Sequence, residues 1–230
     1  MKNLMKVSFV FLISLSLSIA NGQTTRTVDN FTKVSASTNV SVKLIKSDEQ
    51  KIEFKMTGGD EKSFITKVKN NKLIIKIKSG MLNWSSKAKA TVKVYYTELN
   101  EISASAGATI KSDELIYASE MNVDVSSGAV ADLEIEAKTI DADVSSGGRI
   151  LLEGSAENGD FDVSSGANLD ASDMVCDNVD ADASSGGTLK VHANKKLNAD
   201  ASSGGSIRYK GNVEYTNTDS GWSGKIKRIK

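Results

Sequence analysis

Apolar and polar residues alternate along most of the chain from residue 31 onward, and this period of two predicts β-strands. In the first part of the chain the alternation predicts strands at 31–37, 40–45, 51–56, 72–78 and 91–96. Residues 60–68 interrupt the pattern, and we expect one or two helical turns there. The chain is therefore predicted to be all-β, with its longer alternating strands before residue 100.

A short phrase, Ser-Ser-Gly or a close variant, recurs after residue 100. Its glycines are 21, 19, 19, 20 and 18 residues apart, at Gly107, Gly128, Gly147, Gly166, Gly186 and Gly204. A near-constant period of about 20 residues is typical of a solenoid, in which each coil buries its apolar side against its neighbours. Because glycine permits the positive φ of a sharp turn, each phrase is predicted to be a corner between two strands.

Apolar residues flank every corner at alternate positions, so both flanking strands are predicted to face inward. Before the corners these residues are Val123 and Val125, Ala142 and Val144, Phe161 and Val163, Ala181 and Ala183, Ala199 and Ala201. After the corners they include Ile110, Ala131, Ile150, Leu169, Leu189 and Ile207. Parallel strands joined in this way are expected to wind right-handed. The sequence therefore predicts a single-stranded, right-handed parallel β-helix with coils of about 20 residues and a β-rich N-terminal cap.

The N-terminus is predicted to be a secretory signal peptide. Lys2 and Lys6 precede an apolar run over residues 7–19, and the small residues at 20–22 suit a signal peptidase, so we expect residues 1–22 to be removed. The run of 13 residues is too short as a helix to cross a hydrocarbon core of about 30 Å. No cysteine follows it to carry a lipid anchor. We expect an exported protein, periplasmic, extracellular or at the cell surface, without stable membrane insertion.

The rest of the chain is predicted to be a single β-solenoid domain, residues 23–230. Residues 23–100 form its longer-strand N-terminal part, 101–211 the Ser-Ser-Gly coils, and 212–230 a C-terminal cap or tail. Such caps are expected because an exposed terminal strand is a template for aggregation.

The composition excludes several kinds of chemistry. The 230 residues contain one cysteine, Cys176, and one histidine, His192, so an intrachain disulfide and a Cys/His zinc cluster are excluded. We expect Cys176 to be a small buried residue and His192 to face outward without stacking on it, which argues against a Cys/His dyad.

Charge is distributed unevenly although 29 basic and 29 acidic residues cancel. Residues 31–97 contain 14 Lys and 5 acidic residues, a net charge of +9, whereas residues 141–205 contain 4 basic and 12 acidic residues, a net charge of −8. This dipole could orient the protein on an anionic surface or stack copies into a homo-oligomer; the alternative is simply solvated faces whose lysines protect sheet edges. Nucleic acid is not an expected partner, because the basic stretch lacks interleaved aromatic residues.

Aspartates are predicted to line up on the outward face of the strand before each corner. One column contains Asn122, Asp141, Asp160, Asp180 and Asn198, and the next contains Asp124, Asp143, Asp162, Asp182 and Asp200. At a rise of about 4.8 Å, adjacent charges repel by about 0.9 kcal/mol even in water. Two arrangements would reduce this repulsion. Either the second column binds calcium, or each carboxylate accepts hydrogen bonds from the backbone N–H groups of its corner.

Several motifs in this order resemble the head GIN domain family, described as "putative auto-transporter adhesin" and common in Bacteroidetes. They are the opening Phe31-Thr32-Lys33-Val34, the Ser103–Ala108 stretch, the Asp-x-Ser-Ser-Gly coils, Arg208–Asn212 and Gly224–Lys227. The resemblance covers nearly all of the chain after the signal peptide. It implies a right-handed β-helix in an exported protein and implies no enzymatic activity.

The sequence therefore favours a non-enzymatic, exported β-solenoid that acts in cell-surface or envelope interaction, with a protein or glycan as its ligand. The alternatives are a calcium-dependent enzyme of the polysaccharide lyase kind and an oligomerising envelope scaffold. A lyase needs a basic residue near its metal, and the columns beside the aspartates contain no Lys or Arg. Sugar binding needs exposed aromatic rings, for which Trp84 and Trp222 are the candidates, although either could be a packing residue.

Overall fold

The computed structural model describes residues 19–20, 23–78 and 88–229. Its first strands are β1 Ile19–Ala20, β2 Gln23–Thr27, β3 Lys33–Ser37, β4 Val40–Lys46, β5 Lys51–Thr57, β6 Phe64–Lys69, β7 Lys72–Ile77 and β8 Lys89–Tyr96. The remaining strands are β9 Glu101–Ser105, β10 Thr109–Ser112, β11 Ile116–Val125, β12 Val130–Val144, β13 Arg149–Val163, β14 Asn168–Ala183, β15 Thr188–Ala201, β16 Ser206–Lys210, β17 Tyr215–Ser220 and β18 Lys225–Arg228. Apart from Ile19–Ala20, the predicted signal peptide lies outside the described residues, as does Trp84.

The strands form a β-solenoid of about seven turns, which confirms the predicted all-β solenoid class. Strands β11 to β15 stack in parallel, each on the next. The predicted inward residues lie in register and are buried, as in the column Val123, Ala142, Phe161, Ala181 and Ala199. The right hand of the winding stays a prediction. Where the sequence predicted two strands per coil, β12 and β13 each run for 15 residues from one corner to the next.

Each corner is a tight turn with two consecutive left-handed residues. In the turn after β11, Ser127 has a φ of 53° and Gly128 a φ of 69°, and the Ala129 N–H donates to the Ser126 carbonyl at 3.1 Å. Two positive φ values in succession are the pattern of a type I′ turn. The left-handed conformation was predicted for the glycine alone, but the serine before it shares this conformation.

The second glycine of the doubled corners has a different role. Gly205 does not have a positive φ, and a Cβ atom built on it would lie only 2.1 Å from the Ala183 carbonyl oxygen of the previous coil. The doubled glycine therefore lets two successive coils approach closely.

The N-terminal part continues the solenoid, but its coils do not stack in sequence order. Strand β3 pairs in parallel with both β7 and β9, and β4 pairs in parallel with both β8 and β10. The coil made of β3 and β4 is thus enclosed between its two neighbours. Its corner uses Thr38 and Asn39, both with positive φ, instead of a glycine.

Antiparallel strands close the N-terminal end of the core. Strand β5 pairs with β8, β6 with β7, and β2 with β5. The Arg26 guanidinium lies 4.4 Å from the centre of the Phe54 ring and 5.4 Å from that of Phe64, and donates to the Thr66 Oγ1 at 3.1 Å. Of the helical turns predicted over 60–68, only the 3-10 turn Glu61–Ser63 forms, and β6 follows it.

The C-terminal tail forms a last, polar coil. Strand β17 pairs in parallel with β15, and β18 with β16. Where β15 places Leu197, Ala199 and Ala201 in the core, β17 places the exposed residues Thr216, Thr218 and Ser220. The solenoid therefore ends without presenting an apolar core to solvent at this strand.

Candidate functional site

The predicted aspartate columns are confirmed as in-register rows across the strands before the corners. Neighbouring strands pair Asn122, Asp141, Asp160, Asp180 and Asn198, and likewise Asp124, Asp143, Asp162, Asp182 and Asp200. Sequence reasoning missed Asp219, which pairs with Asp200 in the last coil. We call this double row, including Asp219, the acidic face. A shallow groove of about 330 Å³ follows it along Asp143, Asp162 and Asp182.

One end of the acidic face is neutralised by lysines of the N-terminal coils. Glu101 pairs with Asn122 across the strands, and its carboxylate binds the Lys33 Nζ at 2.9 Å and also the Lys72 Nζ. Burial acts to raise the pKa of Glu101, but hydrogen bonds from Lys72 and Lys33 outweigh it and hold this pKa below its usual value.

Farther along the face, none of the described lysines or arginines forms an ion pair with a carboxylate. The pKa of Asp143 is raised to about 6, first by its partial burial and then by the charges of Asp141 and Asp162. Partial burial followed by neighbouring carboxylates raises the pKa of other members in the same direction: Asp124, Asp141, Asp160, Asp162 and Asp182. The face therefore gathers like charges that the fold leaves largely uncompensated.

The aspartates do not serve the corners, so the capping interpretation was wrong. The Ser126 N–H donates to the Ala104 carbonyl at 3.0 Å, and the Gly128 N–H donates to the Ser146 carbonyl of the next coil at 3.1 Å. The later corners repeat this arrangement, for instance from the Ser145 N–H to the Val125 carbonyl. These N–H groups are thus occupied by the backbone of adjacent coils and do not bind the carboxylates.

Calcium binding by Asp124, Asp143, Asp162, Asp182 and Asp200 was one of the two interpretations of the sequence, and only a calcium titration tests it. Each strand contributes one of these residues, so their carboxylates form a line along the solenoid. Within the ranges that the structure describes, no group of three or more His, Cys, Asp or Glu side chains is arranged to hold a metal ion.

The strand after each corner carries a different charge pattern, which we call the paired face. It contains opposite charges in contact: Lys111 Nζ lies 2.7 Å from Asp132 Oδ2, and Lys190 Nζ lies 2.7 Å from Asp170 Oδ2. Asp170 also accepts hydrogen bonds from the Ser172 hydroxyl at 2.6 Å and the Ser172 N–H at 3.2 Å. These bonds outweigh burial and lower the pKa of Asp170.

Cys176 and His192 do not form a reactive pair. Burial raises the pKa of the Cys176 thiol to about 12, and its side chain is wholly inaccessible. A register shift after Ala171 places His192 beside Val175, so Cys176 pairs with Ala193. The expected burial of Cys176 is confirmed, and the thiol is unsuited to nucleophilic attack.

Among the described residues three aromatic side chains are largely exposed: Tyr117, Tyr215 and Trp222. Trp222 lies in the corner between β17 and β18 and is 90% exposed, so of the two interpretations given for it, packing is wrong. Tyr117 is 68% exposed and lines a groove of about 830 Å³ beside the loop between β8 and β9. Sequence reasoning missed Tyr117, although it follows the inward Ile116 and so lies at an outward position.

Comparison with known proteins places these features in a family. A family model described as "Putative auto-transporter adhesin, head GIN domain" matches residues 30–213. No curated protein matches the chain. Among the described residues there is no helix that is long and apolar enough to cross a membrane.

Solved structures share the fold at low sequence identity. A putative adhesin from Bacteroides fragilis has 19% identity and a TM-score of 0.79, covering 91% of this chain and 98% of its own. A putative adhesin from Parabacteroides distasonis has 20% identity and a TM-score of 0.73, with coverages of 94% and 98%. A "putative lipid binding protein" from the same species has 18% identity and a TM-score of 0.67, with coverages of 91% and 98%.

Proposed function

Because the chain belongs to the head GIN domain family, we propose that it is an exported, non-enzymatic β-solenoid that acts in cell-surface or envelope interaction, as an adhesin would. The observation that carries this proposal is a rigid stack of coils with side chains presented in fixed rows. Strands β11 to β15 hold their outward residues in register, as Asp124, Asp143, Asp162, Asp182 and Asp200 show. Such a surface suits recognition of an extended partner, either a protein or a glycan, in the envelope or at the surface.

The surface chemistry supports binding over catalysis. The groove along the acidic face is lined by aspartates, serines and valines, without a lysine or arginine that could take a proton. The Cys176 thiol is also buried and inaccessible to a substrate. These features argue against the polysaccharide lyase alternative.

The oligomerising scaffold is a second candidate, favoured by the open last coil. Strand β17 pairs with β15 along residues 215–220, and the registers of the described strands give β17 no second partner. An unpaired strand edge can bind another strand. Light scattering at rising protein concentration tests this, since a growing mass would support a scaffold and a constant monomer mass would contradict it.

The binding function is tested by sedimentation of purified protein with isolated bacterial envelopes. We expect saturable binding that unlabelled protein displaces. A protein that stays in the supernatant at every envelope concentration would contradict the proposal. A parallel assay on a polygalacturonate substrate should show no unsaturated product absorbing in the ultraviolet; turnover there would favour the lyase instead.

A further inference from the structure

The Tyr117 groove forms at a step in the solenoid. Strand β11 pairs with β12 from Ile116 onward, whereas β9 pairs with β11 only from Asn122 onward. The segment 116–121 therefore has a coil on one side, and on the other side the loop between β8 and β9 forms the wall of a groove of about 830 Å³. This volume lies within the range of about 300–1,000 Å³ that is usual for small-molecule sites.

The groove is built on rigid elements. The Asn100 N–H donates to the Thr32 carbonyl at 2.9 Å, and the Asn100 carbonyl accepts from the Asn122 N–H at 3.0 Å, so the wall is bonded to two coils. Buried Leu99 lies at the base, where Ala118 and Ala137 also pack against the core. A rigid apolar base beside an exposed phenol ring needs little reordering to bind a ligand.

Polar groups around the groove are available for a ligand. Glu98, Glu120, Glu136 and Lys138 are exposed and line it, and in the described part of the chain none of the four engages in a hydrogen bond or an ion pair. Lys46 is different, because its Nζ donates to the Thr97 carbonyl and lies 5.7 Å from the centre of the Tyr96 ring. The unengaged rim therefore contains three carboxylates and one ammonium group.

We propose that this groove binds an uncharged saccharide, with a sugar ring packed on the Tyr117 side chain and its hydroxyls donating to the rim carboxylates. An aromatic face provides a flat apolar contact, and carboxylates are strong acceptors for hydroxyl donors. The excess of carboxylates disfavours uronic-acid polymers, which carry the same charge. This inference rests on the proposed surface interaction and names the class of its ligand.

The test is a binding titration of purified protein with N,N′,N″-triacetylchitotriose, cellotetraose, maltotetraose and mannotriose, with trigalacturonate as the anionic comparison. Saturation-transfer NMR detects contact, and calorimetry gives the affinity. Tyr117→Ala is compared with Tyr215→Ala, which removes another exposed tyrosine (59% exposed) that does not line the groove. Circular dichroism melting confirms that each variant folds.

We expect at least one of the neutral oligosaccharides to bind and trigalacturonate not to bind. Tyr117→Ala should lower the affinity at least tenfold, while Tyr215→Ala leaves it unchanged. Absence of binding by all neutral probes would overturn the inference, as would a Tyr117→Ala variant that binds as the unmodified protein does. If sedimentation with envelopes persists in either case, the proposed surface interaction stands and only its saccharide ligand fails.

Discussion

The acidic face and the paired face lie on opposite sides of the same corners. Charges on the paired face are matched by opposite charges, whereas those on the acidic face are mostly of one sign. On the paired face Asp170 is bound by Lys190 and Ser172 and its pKa is lowered. On the acidic face the pKa of Asp143 is raised to about 6 by burial and by neighbouring carboxylates. Because the coils can place a lysine opposite an aspartate, the fold does not require the acidic row. The raised pKa values imply that this row lowers stability at neutral pH, as surfaces used for binding often do.

The largest expected effect is loss of a carboxylate from the paired face. Asp170→Ala removes the hydrogen bonds from Lys190 and Ser172 in a half-buried site, so the free energy of unfolding should fall by about 1–3 kcal/mol. Urea denaturation at pH 7 measures this. Asp173→Ala on the same strand is the control: its carboxylate is 67% exposed and pairs with Lys210, so its loss should cost less than about 1 kcal/mol. Equal decreases in the free energy of unfolding for the two variants would contradict the expected difference between a buried and an exposed ion pair.

The pH dependence of stability should separate the two faces. A carboxylate with a raised native pKa binds its proton more readily in the folded state, so its unfavourable contribution disappears as pH falls from about 7 towards about 4. Asp170 and Glu101, whose pKa values are lowered, lose their stabilising contribution only at still lower pH. We therefore expect the melting temperature to rise on mild acidification and then fall. A continuous decrease from pH 7 downward would contradict this.

A smaller effect is expected from neutralising one member of the acidic face. Asp143→Asn should raise the free energy of unfolding at pH 7 by roughly 1 kcal/mol, allowing for solvent screening, because it removes an unfavourably placed charge. It should also flatten the dependence between pH 7 and 5. The matched control is Asp132→Asn, which breaks the ion pair with Lys111 and should not stabilise the protein. If Asp143→Asn lowers stability, the carboxylate has a favourable partner after all.

The smallest expected effect is a specific response to calcium. Because the candidate carboxylates form a line, with one contributed by each strand, millimolar calcium should change the melting temperature no more than magnesium at equal ionic strength. A chelator should then have no effect. A rise of several degrees with calcium alone would instead assign a calcium site to Asp124, Asp143, Asp162, Asp182 and Asp200.

The coils could be predicted from sequence because the corner glycines fix both the period and the phase of alternation. The glycine spacing of 19 between Gly128 and Gly147 is also the pairing offset between Val123 and Ala142. The stacking order of the N-terminal part could not be predicted. Its corner at Thr38 and Asn39 lacks glycine, and alternation alone does not show that β3 lies between β7 and β9.

The positions of the acidic columns could be predicted from the same alternation of residues, but the partners of their carboxylates could not. Capping of the corner N–H groups was a plausible role for aspartates near a turn, and only the structure shows that carbonyls of adjacent coils occupy those groups. Tyr117 was missed for a similar reason. Its outward position could be read from the alternation, but its groove depends on where β9 begins to pair with β11.

We propose that this chain works outside the cytoplasm as a binding protein, and expressing the full chain in a Bacteroides host tests its export. Mass spectrometry of the protein recovered from the envelope and the medium gives its N-terminus. We predict a chain that begins at Gln23 and is found in these fractions. A chain that retains Met1 and residues 1–22 and is found in the cytosol would contradict it.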